Sequence, residues 1–165
     1  MTFYLRDDSG SRSQVRVDEL VGYQLRQASA VADGLARLIP HEGVDYEISP
    51  GENSIIPLTD KGEGWREYVE LSSDGMPFED MRDRLAEVMP KEGVDFDPVI
   101  VFSGSDKSRI SFEMEIMTER GSLWKSYVMK MIRKYPPTLE YAGEMLPDGG
   151  ETENVEGVEN EEVVP

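Results

Sequence analysis

Two stretches of the chain repeat one another in the same order, so the fold has to accommodate one small unit twice. Residues 33–47 (DGLARLIPHEGVDYE) match residues 83–97 (DRLAEVMPKEGVDFD) at a shift of 50, with 8 of 15 positions identical. Residues 59–69 (TDKGEGWREYV) match 118–128 (TERGSLWKSYV) at a shift of 59, and the two tryptophans of the sequence, Trp65 and Trp124, fall on each other. Because the shift grows between the matches, the second copy carries nine extra residues in the intervening segment. An internal repeat constrains architecture before any single residue does, and here it points to a small module used twice.

Each copy reads as helix, hairpin, helix. From Val17 to Ile39 the residues Leu20, Val21, Leu25, Ala28, Val31, Ala32, Leu35, Leu38 and Ile39 recur at spacings of three and four, the pattern of an amphipathic helix. Gly22 and Gly34 suggest a division into two shorter helices. Pro40 and Pro90 disfavour helical geometry at the residue before them, so both copies stop a helix at the same place. Gly43 and Gly93 then permit a positive φ as the chain reverses. GVDYEIS and GVDFDPVIVFS enter strands, with returns over 54–58 and 109–117. In the second return Ile110, Phe112, Met114 and Ile116 alternate with Ser111, Glu113 and Glu115, marking one buried face. The nine extra residues lengthen this hairpin around GSDKS.

Thr59 and Thr118 open a further helix in each copy. Its inward stripe is Trp65, Tyr68 and Val69 in the first and Trp124, Tyr127, Val128 and Met131 in the second, with each Trp and Tyr on one face. These aromatics are read as core, because a small module needs their buried area. Met76-Pro77-Phe78 starts the next helix, with Glu79 and Asp80 near its positive end. The expected fold class is α+β: two tandem small modules, each helix(es)–β-hairpin–helix, over residues 15–73 and 74–136. If the copies pack through their tryptophan helices, the chain is a monomer with an internal pseudo-twofold; a homodimer is the alternative.

The formal charge of −17 is unevenly spread. Residues 146–165 carry seven acids and no base, with no aromatic residue and no periodicity, so they cannot bury enough apolar surface to offset the entropy of ordering. Residues 137–165 are therefore expected to be a disordered, Pro- and Glu-rich acidic tail. With no cysteine, the chain has no disulfide, thiolate metal site or cysteine nucleophile. It has no apolar run of membrane-spanning length and no basic-then-apolar leader, which makes a cytoplasmic location the expectation, the host's if the chain is phage-encoded.

The order of a helical segment, then EGVD(Y/F), a short hairpin and a T-(D/E)-(K/R)-G step into a Tyr-bearing helix resembles the N-terminal domain of phage antirepressor proteins. Val17-Asp18-Glu19-Leu20 stands where that family has its VDEL-like start, and Phe78-Glu79-Asp80-Met81 is similar to the aromatic pair before its EGVDF segment. The resemblance covers about residues 15–134 and implies a phage or prophage regulatory protein that acts by binding macromolecules.

Two surfaces compete for that role. Glu63, Glu67, Glu70, Asp74, Glu79, Asp80, Asp83 and Glu87 place eight acids in 25 residues across the junction of the copies, against Arg66, Arg82 and Arg84. Such a surface could imitate DNA and bind a basic groove on a protein partner, a repressor or a nucleic-acid-binding host or defence complex. Its alternative is an ordinary solvated helix face. The second surface lies in residues 120–134, where Lys125, Lys130, Arg133 and Lys134 would serve a DNA-binding transcriptional regulator, unless they form a solvated face or pair with the acidic tail. The first copy has acids in the corresponding helix, so the repeat does not keep a basic face. A virion or structural accessory protein is a third reading, marked by a stable homo-oligomer.

Catalytic chemistry finds little support. The single histidine, His41, is matched by Lys91, and no nucleophile triad or phosphate-cradling glycine loop is present. Asp95 with Asp97, and Asp7-Asp8, lack the ligand spacing of a calcium loop. Asp45 and Asp95 are read as caps of local backbone. No enzyme activity, cofactor or metal is expected.

Overall fold

The structure is a computed structural model that describes residues 1–51, 54–77, 79–105 and 107–137 and the backbone of 145–147. Its elements are β1 (Thr2–Arg6), β2 (Arg12–Val15), α1 (Gly22–Arg37), β3 (Tyr46–Ser49), β4 (Ser54–Pro57), α2 (Asp60–Ser72), α3 (Met81–Val88), β5 (Phe96–Ser103), β6 (Arg109–Ile116), α4 (Glu119–Lys134) and β7 (Met145–Pro147). The class is α+β. Both hairpins fall where the repeat places them. The extra residues of the second copy lie in its hairpin, whose strands are eight residues long against four in the first.

One compact unit gathers residues 1–29 and 98–115 with the strand Met145–Pro147. Its sheet runs in the order β2-β1-β5-β6-β7. β1 pairs in parallel with β5, Phe3 opposite Ile100 and Leu5 opposite Phe102, and antiparallel with β2. Val99, Ile100, Val101 and Phe102 are all buried, as expected of a central strand covered on both faces. The β1–β2 hairpin was not foreseen from the sequence. Its turn is held by the Asp7 carboxylate, which accepts the backbone N–H groups of Ser9 (3.0 Å) and Ser11 (2.9 Å). Met145–Pro147 pairs in parallel with β6, Ile110 opposite Met145, so this part of the expected tail is a strand. Residues 138–144 and 148–165, the rest of that tail beyond Pro137, lie outside the described residues.

The second unit gathers residues 30–97 and 116–138, and so draws on both copies. It contains the β3–β4 hairpin, α2, α3 and α4. Trp65, Tyr68, Val69, Trp124, Tyr127, Val128 and Met131 are all buried, as their helical stripe requires.

Three local expectations are corrected. α1 is one helix of 16 residues, preceded by a 3-10 turn at Val17–Glu19. Gly34 does not break it: a Cβ there would lie 2.7 Å from the Cβ of Pro137, so the glycine serves a close approach. The buried face of α1 includes Gln24 and Gln27 with Ala28 and Val31, and Leu38 just beyond it is buried too, whereas Val21, Leu25 and Ile39 are exposed. Finally, α3 starts at Met81 rather than at 76–78. Gly75 has φ +74°, and Asp80 is the cap residue, its carboxylate accepting the N–H of Asp83 at 2.9 Å.

Candidate functional site

The matched segments build the same turn twice. In each, a buried aspartate presents one carboxylate oxygen to a backbone N–H and the other to a threonine hydroxyl. Asp45 accepts from His41 (2.9 Å) and Thr59 (2.8 Å), and Asp95 from Lys91 (2.9 Å) and Thr118 (2.8 Å). The threonine hydroxyl in turn accepts the N–H of Gly62 (3.2 Å) or Gly121 (3.1 Å), capping α2 or α4. The aspartate carbonyls accept Leu58 and Met117 N–H at 2.8 and 3.0 Å. Burial alone would raise the Asp95 carboxyl, but the Lys91 and Thr118 donors, with Arg120 nearby, hold it below the ordinary aspartate value. Asp45 and Asp95 thus fix backbone, and His41 contributes its main-chain N–H to the turn while its side chain is exposed.

Two tyrosines tie the halves together reciprocally. The Tyr68 hydroxyl on α2 donates to the Val88 carbonyl at the end of α3 (2.6 Å), and the Tyr127 hydroxyl on α4 donates to the Leu38 carbonyl just beyond α1 (2.5 Å). Leu38 and Val88 are matched positions of the repeat. Burial pushes the Tyr68 hydroxyl up to about 12 and shifts Tyr127 in the same direction. Between them, Trp65 stacks on Tyr68 (5.4 Å between centroids), Trp124 stacks on Tyr127 (4.9 Å), and the two indoles meet edge to face at 6.1 Å. α2 and α4 therefore pack through their tryptophans.

All eight acids of the junction are exposed: Glu63, Glu67, Glu70 and Asp74 on or just after α2, Glu79 and Asp80 before α3, and Asp83 and Glu87 on it. They are not equally available. Glu63 holds Arg66 at 2.7 Å, Glu67 faces Lys130 at 3.9 Å, and Asp80 is engaged as the α3 cap.

The basic segment is less free than its sequence suggests. Lys134 bridges to Asp60 at 3.0 Å and Lys130 faces Glu67, so two of its four cations meet carboxylates of α2. Lys125 is half-buried and has partners of its own, and Arg133 is exposed. Among the described residues, no three His, Asp or Glu side chains converge as a metal site would need. No helix among them is long and apolar enough to cross a membrane.

A feature that the sequence reading missed lies beside these acids. α2 and α4 leave a groove of about 200 Å³ lined by Gly64, Glu67, Tyr68, Leu71, Tyr127 and Lys130, with Leu123 and Ser126 completing it. A second depression of about 520 Å³ adjoins it, sharing Leu71 and Leu123 and adding Asp74, Asp95, Glu119 and Arg120. The available signal was Leu71, an apolar residue among Glu67, Glu70 and Asp74 on a charged helix face; it is 56% exposed.

No family model, no curated protein and no solved structure matches this chain.

Proposed function

We propose that the chain is a non-enzymatic, phage-type regulatory or inhibitory protein that binds a protein partner through the acidic surface of α2, the following linker and α3. The partner class is a repressor or another nucleic-acid-binding protein of the host, whose basic groove would meet carboxylates in place of phosphates. The observation that carries this reading is the exposure of all eight junction acids, while the competing cations Lys130 and Lys134 face carboxylates of the same molecule. The antirepressor-like motifs support the regulatory setting. A DNA reader would need its cations directed at phosphates, and two of the four are turned to α2.

The test is capture of partners from a nuclease-treated bacterial lysate, comparing the native chain with one carrying Glu63→Gln, Glu67→Gln, Glu70→Gln, Glu79→Gln and Asp80→Asn. Asparagine caps a helix about as well as aspartate, so α3 survives the last change. A stoichiometric partner retained by the native chain and lost by the variant is expected. A salt-sensitive gel shift on duplex DNA, abolished by Lys130→Ala, Arg133→Ala and Lys134→Ala with no protein captured, would move the function to α4.

A further inference from the structure

The groove between α2 and α4 and its adjoining depression form one trough with two different ends. At one end Gly64, Tyr68, Leu71, Leu123 and Tyr127 make the lining mainly apolar. At the other, two exposed carboxylates, Asp74 and Glu119, stand beside a single guanidinium, Arg120, which donates to the Ser72 hydroxyl at 3.2 Å; Asp95 also borders this end but is buried, with both carboxylate oxygens held by Lys91 and Thr118. The C-terminal end of α2 adds negative potential beside Asp74, and the N-terminal end of α4 adds positive potential beside Glu119. Leu71 and Leu123 belong to both ends, so an extended occupant crosses them without leaving the surface.

The walls of the trough differ although the helices that form them are matched by the repeat. At a shift of 59, Glu63, Glu67 and Leu71 of α2 and Asp74 just beyond it correspond to Ser122, Ser126, Lys130 and Arg133 of α4. The exposed leucine and Glu67 are therefore on the α2 wall alone, while Glu119 at the start of α4 puts one carboxylate on the other. The ion pair across the groove, Glu67 to Lys130, is long and both side chains are more than half exposed, so an incoming cation displaces it at little cost.

We infer that this trough docks a short segment of the partner protein that carries an apolar side chain beside lysine or arginine. The apolar side chain enters between Leu71 and Leu123 over the two tyrosines. The cation lies toward Asp74 and Glu119. This deepens the acidic-surface reading and rests on it: the wider carboxylate field attracts a basic partner, and the trough selects which of its segments is held.

The experiment is selection of a displayed random-peptide library on the full chain, followed by affinity measurements on the enriched peptides. Peptides pairing an apolar residue with an adjacent Lys or Arg are expected, with affinity falling about tenfold or more in Leu71→Ser and again in Asp74→Asn with Glu119→Gln. None of these side chains lies in the core or makes a capping hydrogen bond. No enrichment, enriched peptides lacking either feature, or affinities indifferent to Leu71→Ser would overturn the proposal. Neutralising α3 alone (Asp83→Asn, Glu87→Gln) separates the two readings. If that change abolishes peptide binding and the trough substitutions do not, the trough fails and the acidic surface stands; if neither set matters, both fail. Self-association of the native chain that Leu71→Ser abolishes would assign the trough to a second copy and overturn the proposal.

Discussion

Replacing Gly62 or Gly121 by alanine sets helix propensity against a close backbone approach. Propensity alone predicts a gain of about 1 kcal/mol on changing a helical glycine to alanine. A Cβ at Gly62 would stand 1.8 Å from the carbonyl oxygen of Asp45, and one at Gly121 the same distance from that of Asp95. Neither carbonyl is free to yield, because each accepts two backbone N–H groups, Leu58 and Thr59 or Met117 and Thr118. Relief requires the helix start to move by more than an ångström. That movement gives up the threonine cap, worth about 1 kcal/mol, weakens two hydrogen bonds of about 1 kcal/mol each, and adds overpacking of about 1–3 kcal/mol. Net of the propensity gain, the loss is about 3 kcal/mol, and each substitution should lower the thermal midpoint by about 10 °C in a chain of this size. Urea unfolding followed by the fluorescence of the buried Trp65 and Trp124 measures it directly. Gly64→Ala is the control: its Cβ would meet side-chain atoms of Tyr127 and Met131 at 3.1 and 3.2 Å, which can shift, and its cost should stay below about 1 kcal/mol. An unchanged or raised midpoint in Gly62→Ala or Gly121→Ala would refute the argument, as would a large difference between two sites of the same geometry.

Tyr68→Phe and Tyr127→Phe should each cost about 1–2 kcal/mol in urea unfolding, since each leaves a buried carbonyl, Val88 or Leu38, without its donor. Because both hydroxyls titrate above the ordinary tyrosine value of 10.0, their contribution is complete below pH 10 and declines as pH rises through the folded values; the double Phe variant should lose less of its remaining stability over that range. The Asp95 carboxyl sits below its ordinary value of 3.8, so its contribution is complete above that pH and fades as pH falls through the folded value. Asp95→Asn should be less stable than the native chain at neutral pH and show a shallower acid loss in the same assay.

What the sequence made legible was what it contains twice. Thr59 and Thr118, Gly43 and Gly93, and Asp45 and Asp95 were placed correctly because a residue type kept in both copies narrows its role to one that both can share. The β1–β2 hairpin stood outside the repeat, and its second strand is three parts exposed, so no alternation announced it. α1 was read with its buried face too far toward Val21, Leu25 and Ile39, because Gln24 and Gln27 count as polar in any periodicity although both are buried. The acids of the junction were legible as exposed, since carboxylates seldom lie elsewhere. Their pairing with α4, and the trough that adjoins them, depend on which two helices touch, and a linear pattern does not carry that.

The reciprocal tyrosine bonds also bear on the order in which the chain is made. Leu38 is synthesised early, yet the hydroxyl that closes its carbonyl belongs to Tyr127, in the helix that is made last of the four. Trp65 likewise meets its edge-to-face partner only when Trp124 arrives. A nascent chain stopped after the first copy therefore has an open helix end and half an aromatic cluster. Folding of this unit should therefore be completed only once α4 has been made, and a fragment ending before α4 should be a better substrate for chaperones and proteases than the whole chain.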